Sequence, residues 1–201
     1  PDDFRNAYAE LEKQGLNGLI LDLRNNPGGL LTSAVEVAKE FLTEGELIVY
    51  TKGRRPDSNF KFVATKNNHK KIPLVVLVNE GSASGSEIVA GAIKDHGRGI
   101  LLGEKTFGKG SVQSLITLSD GSQLRLTTAK YYTPSGVCIH EKGIEPDISV
   151  PVSKEDKIKL MQQSEEIYGL TPEEKEKREK EKIPDVQIER AKEIIFAQLK
   201  F

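Results

Sequence analysis

The sequence predicts an α/β fold. Three short apolar runs, residues 19–23, 74–78 and 99–103, are rich in Leu, Ile and Val and read as buried strands. Helix-period stripes lie between them, about residues 30–42 and 84–95, so strand and helix alternate as in an α/β core. A chain of 201 residues with 37% hydrophobic content can bury one substantial core and leaves room for a second small element.

Residues 2–14 form a first helix, with Asp2 or Asp3 as cap, Phe4, Ala7, Tyr8 and Leu11 on one face, and Gly15 as its stop. The strand Leu19 to Leu23 ends in Asn25-Asn26-Pro27-Gly28-Gly29, a turn whose glycines can expose an N–H to a ligand. From Leu30 to Leu42, the residues Leu31, Ala34, Val35, Ala38, Phe41 and Leu42 make an apolar stripe that belongs in the core. Leu47 to Thr51 and Phe60 to Thr65 flank a polar, turn-rich stretch and form a hairpin-like pair. Pro73 precedes the strand Leu74 to Val78, and Asn79 to Ser82 ends it. A helix follows, with Ser84, Gly85, Ser86 and Glu87 in its first turn and Ile88, Ala92 and Ile93 on one face. After the strand at 99–103 comes a glycine-rich loop, then two alternating strands, 111–118 and 123–133, around the turn Ser119-Asp120-Gly121-Ser122.

Composition shifts after residue 150, which divides the chain into a core, 1–150, and a charged helical extension, 151–201. Thr171-Pro172-Glu173-Glu174 reads as a helix start, and Glu173 to Lys182 as a solvated helix or linker. After Pro184, Asp185 caps a helix whose stripe of Ile188, Ala191, Ile195 and Leu199 needs a partner, either the core or a second subunit.

A net charge of −1 argues against a nucleic-acid or membrane-surface partner held by bulk electrostatics. The single cysteine, Cys138, forbids an internal disulfide and builds no metal cluster; it reads as a partly buried thiol. No apolar run reaches the length of a membrane helix. The chain begins with Pro1 rather than methionine, so it reads as a fragment whose targeting is not legible.

The chemistry centres on Ser84. A strand, a turn of small residues and a serine at a helix start place a hydroxyl where free N–H groups and the positive end of the helix dipole converge. The same position also suits an ordinary cap. A serine nucleophile needs a proton acceptor, and His96 beside Asp95 invites a Ser/His/Asp arrangement. Geometry rejects it, because twelve helical residues separate Ser84 from His96, roughly 18 Å at 1.5 Å per residue. His69 and His140 sit in polar stretches and read as surface residues. Lysine remains, acting as a neutral amine once buried. Lys105 and Lys109 follow the third strand, and Lys109 lies between two glycines that let the backbone turn tightly. Gly103 to Lys109 also nearly matches a phosphate-binding P-loop, though Gly110 stands where Ser or Thr would bind Mg²⁺.

Four motifs occur in order: Asp22-Leu23-Arg24-Asn25-Asn26-Pro27-Gly28-Gly29, Gly81-Ser82-Ala83-Ser84-Gly85-Ser86-Glu87, Gly103-Glu104-Lys105-Thr106-Phe107-Gly108-Lys109-Gly110 and Gly143-Ile144-Glu145-Pro146-Asp147. Together they closely resemble the C-terminal processing (tail-specific) serine peptidases over about residues 1–150. The resemblance implies a crotonase-like ββα superhelical protease core with a C-terminal helical extension. It implies a serine endopeptidase that cleaves proteins near their C-termini through an acyl-enzyme. Ser84 is then the nucleophile and Lys109 the general base, at the family's spacing of 25 positions. Gln113 orients the lysine, and the N–H groups of Gly29 and Gly85 form the oxyanion hole. Where this chain has Gly85 the family usually has alanine. Asp95 matches an aspartate once given a catalytic role, but its distance along the helix favours a structural one. If residues 109–113 were fully extended, Lys109 and Gln113 would lie about 13 Å apart, so the flanking glycines must bend the chain for the two to meet.

The resemblance further implies no cofactor and no metal, and substrate protein or peptide tails as partners. It implies a PDZ domain that would precede residue 1 and lies outside this chain, and a location outside the cytoplasm. A homo-oligomer through the last helix is a further expectation. A non-catalytic ligand-binding protein on the same core is the alternative function.

Overall fold

The computed structural model describes residues 1–65, 71–164 and 182–200. Its elements in chain order are α1 (Asp2–Lys13), β1 (Leu19–Asp22), α2 (Leu31–Lys39), β2 (Leu47–Gly53), β3 (Lys61–Val63), β4 (Leu74–Val78), α3 (Gly85–Asp95), β5 (Ile100–Gly103), β6 (Ser111–Thr117), β7 (Gln123–Tyr132), β8 (Ile148–Ser149), α4 (Lys154–Ser164) and α5 (Val186–Leu199). The α/β expectation holds. The three apolar runs join one parallel sheet in the order β1-β4-β5-β8, and a second, antiparallel sheet runs β3-β2-β7-β6.

Every residue of β4 is buried, because it is a central strand covered on both faces. Leu74, Val76 and Val78 face a core shared with α2, α3 and β2. Val75 and Leu77 face the opposite way and meet Leu102, Ala191 and Ile195. Most of the stripe on α5 therefore finds its partner in the core, where Ala191 is fully buried, Ile195 nearly so and Ile188 partly, while Leu199 stays exposed. β1, an edge strand, is only half-buried.

Local details depart from expectation where the backbone satisfies itself. Neither Asp2 nor Asp3 caps α1; Pro1 occupies the cap position and its carbonyl accepts the Arg5 N–H. The helix expected over 30–42 stops at Lys39, yet Phe41 and Leu42 still reach the core. β8 was not anticipated, being a two-residue strand too short to leave a pattern, and α4 lies within the 151–201 extension, for which no helix bounds at this place were expected. The β6–β7 hairpin keeps Leu115, Ile116, Leu118, Leu124 and Leu126 exposed. The expected helix start at Thr171, the charged run that follows as far as residue 181, and His69 lie outside the described residues.

Candidate active site

Ser84 stands between β4 and α3 as the N-cap residue of α3. Its backbone adopts φ 53° and ψ −112°, a region that side-chain-bearing residues avoid at a cost of about 1–3 kcal/mol. Three serines crowd this turn, and their surroundings differ. Ser82 is fully buried and its hydroxyl donates to the Leu23 carbonyl at 2.7 Å. Ser86 is also buried, with its hydroxyl on the Asn26 carbonyl at 3.0 Å. Ser84 alone of the three is not buried.

The turn after β1 lies against Ala83 and Gly85, the residues on either side of Ser84. Gly28 adopts φ 79°, and a Cβ there would fall 2.4 Å from the Gly85 nitrogen. A Cβ on Gly85 would in turn lie 3.2 Å from the Gly29 nitrogen. Two glycine N–H groups thus border the serine, and among the described residues neither donates a hydrogen bond. The turn is held from this side by Ala83 N–H on the Asn26 carbonyl, 3.1 Å, and by Asn25 N–H on Asn79 Oδ1, 2.8 Å.

Sequence reasoning noticed Glu87 only as a first-turn residue. It is completely buried and receives four hydrogen bonds. Oε1 accepts from the Thr106 hydroxyl at 2.6 Å and the Gly108 N–H at 2.7 Å; Oε2 accepts from the Ser84 N–H at 2.9 Å and the Lys109 N–H at 2.8 Å. An acceptor at both oxygens and a donor at neither is what a carboxylate offers. One side chain therefore fixes the backbones of Ser84 and Lys109 relative to each other. The Ser-x-x-Glu spacing of a capping box signals the Ser84 contact; nothing local signals the other three.

Lys109 departs from the expectation of burial, since its side chain is exposed. Its neighbours are tight: Gly108 has φ 91°, and a Cβ on Gly110 would meet the His140 nitrogen at 2.3 Å. The glycines lock the loop backbone against residues 139–143 and leave the lysine side chain outside that packing. Gln113 is exposed too, at a register shift in the β6–β7 pairing. Among the described residues, no hydrogen bond joins Ser84, Lys109 and Gln113. A strand rather than a helix follows Lys109, so no P-loop forms.

The histidines are placed by other needs. His96 Nε2 meets the Leu47 carbonyl at 2.7 Å, and Asp95 accepts the Ser135 N–H at 2.8 Å; both tie α3 to neighbouring chain. His140 is not the surface residue expected: its side chain is 26% exposed, beside Gly110 and 3.8 Å from Glu141. Cys138 is half-buried, as expected.

A family model described as peptidase family S41 matches residues 1–150. A carboxyl-terminal-processing protease of Synechocystis is 52% identical over 145 residues, covering 72% of this chain and 34% of the relative. Carboxyl-terminal-processing peptidase 3, chloroplastic, of Arabidopsis thaliana is 49% identical over 146 residues, covering 73% and 28%. Among solved structures, the photosystem II D1 C-terminal processing protease aligns with TM-score 0.67 and 44% identity, covering 73% of this chain and 38% of that one. The chain spans about a third of the length of these relatives. With three quarters of its length matched and its strand–serine–helix junction built as described, the chain belongs to peptidase family S41.

Proposed function

We propose that this chain is the catalytic core of a serine endopeptidase that cleaves protein substrates near their C-termini, outside the cytoplasm. Ser84 Oγ attacks the scissile carbonyl as the Lys109 amine takes its proton. The tetrahedral oxyanion sits on the Gly29 and Gly85 N–H groups. Lys109 then gives the proton to the leaving amine, and water hydrolyses the Ser84 acyl-enzyme by the reverse proton path. Gln113 orients the lysine.

The observation that carries this reading is the junction itself: a strained, accessible serine bordered by two unbonded glycine N–H groups, with its backbone tied to that of Lys109 through Glu87. A lysine serves as base only when neutral, and exclusion of solvent favours that form. Lys109 is exposed in the free chain, so the bound peptide supplies the exclusion. Ser84→Ala and Lys109→Ala in the full-length protein are each expected to lower peptide cleavage by about a thousandfold or more, measured as kcat/KM. Near-full turnover by either variant overturns the assignment and favours a non-catalytic ligand-binding protein on this core.

A further inference from the structure

We propose that Asp185, at the start of α5, is a positioning residue: through Arg24 it holds the loop carrying the Gly29 N–H, a role that rests on the Ser84 chemistry proposed above. Asp185 divides its two oxygens. Oδ1 caps the helix, accepting the Gln187 and Ile188 N–H groups at 3.1 Å each. Oδ2 pairs with Arg24 Nη1 at 2.8 Å, across 161 positions of sequence. A helix cap needs only one of these oxygens.

Arg24 is gripped on both edges of its planar fork. Asp22 takes Nε and Nη2 at 3.0 and 2.7 Å, while Nη1 meets Asp185 and also Gln187 Oε1 at 2.9 Å. The Arg24 side chain is 15% exposed, and Gln187, itself buried, anchors its own amide on the Val150 carbonyl at 2.7 Å. Such a guanidinium has little freedom, because each displacement leaves a poorly hydrated donor unpaired.

Five positions on, the same loop delivers Gly29. Between them the chain passes two positive-φ residues, Asn25 and Gly28, and no regular structure. Its bonds to Asn79, Ala83 and Ser86 hold it toward the serine, Asn26 N–H on the Leu23 carbonyl and Gly28 N–H on Asn26 Oδ1 shape it from within, and Leu23 N–H on the Leu77 carbonyl ends the ladder with β4. Arg24, one residue past that last ladder bond, ties the start of the loop by its side chain, and Asp185 fixes Arg24 to a helix already seated on β1, β4 and β5. An oxyanion donor works within a few tenths of an ångström, and its partner charge exists only in the transition state. Slack at Arg24 therefore acts on kcat and spares KM.

The test uses the full-length protein. Asp185→Ser retains a capping oxygen and removes the one that holds Arg24; Asp185→Asn retains the cap and turns an amide toward the guanidinium. Both are expected to lower kcat about tenfold or more, with KM within about twofold and the melting temperature within a few degrees of wild type. A kcat within twofold of wild type in both, a loss confined to KM, or unfolding of both at the assay temperature overturns the proposal and leaves the Ser84 assignment standing. Full activity in Ser84→Ala overturns that assignment, and this role with it.

Discussion

Glu87 shows how a single residue couples two parts of the site. Its four donors come from Ser84, Thr106, Gly108 and Lys109, on two segments some twenty positions apart. Glu87→Gln keeps the shape but turns an N–H₂ group toward donors at one end of the side chain. The loss is expected to be about 2–3 kcal/mol of stability, from buried donors left unmatched, with at least a tenfold fall in kcat. Urea titration alongside steady-state kinetics measures both, and an unchanged kcat would deny Glu87 its part in holding Ser84 against Lys109. The place of Ser84, after an apolar run and before a helix, was legible in the sequence. Its positive φ was not, because that strain exists only where Gly28, Gly85 and Glu87 close around it. The exposure of Lys109 was equally hidden: two flanking glycines announce a tight backbone but do not say which way a side chain is left.

Among the elements, β4 and α5 make the clearest pair. β4 was legible because a strand covered on both faces needs apolar residues at every position, and Leu74 to Val78 supplies five. The α5 stripe was legible as well, but its partner was not, since a helix face specifies apolar contact and not which surface provides it. In the structure Ile195 lies against the sheet and fills the space left by Gly18, where a Cβ would collide with it at 2.4 Å. Ile195→Ala is expected to cost about 2–4 kcal/mol, read from the denaturant midpoint. A cost below about 0.5 kcal/mol would mean that α5 does not stay docked on β4 in solution.

For the whole molecule, ion pairs fasten outlying helices to the core. Arg5 on α1 meets Glu36 at 2.8 Å and Glu40 at 2.7 Å, and Lys157 on α4 meets Glu80 at 2.7 Å and Glu104 at 2.8 Å. The Lys39 ammonium, with help from Arg5, holds the Glu36 carboxyl below its ordinary 4.5. Burial pushes Glu80 upward, but Lys157 outweighs it and this carboxyl also lies below 4.5. A carboxyl lowered by folding stabilises the folded state above its unfolded value and ceases to do so as pH falls through its folded value. The urea midpoint is therefore expected to hold from pH 7 to about 5 and to drop below 4.5; a midpoint flat to pH 3 would show that these pairs contribute nothing.

The sequence by itself determined the α/β alternation, the three strands of the parallel sheet and the full burial of β4, the glycine turn and the family, because these depend on local periodicity and on motifs contiguous in the chain. Only the tertiary structure decided that Ser84 is strained, that Glu87 bridges two loops, and that Arg24 is gripped by a helix 161 positions away. Those features arise from contacts between segments distant in sequence, whose pairing is fixed by how the sheet and helices pack rather than by any residue's own preference.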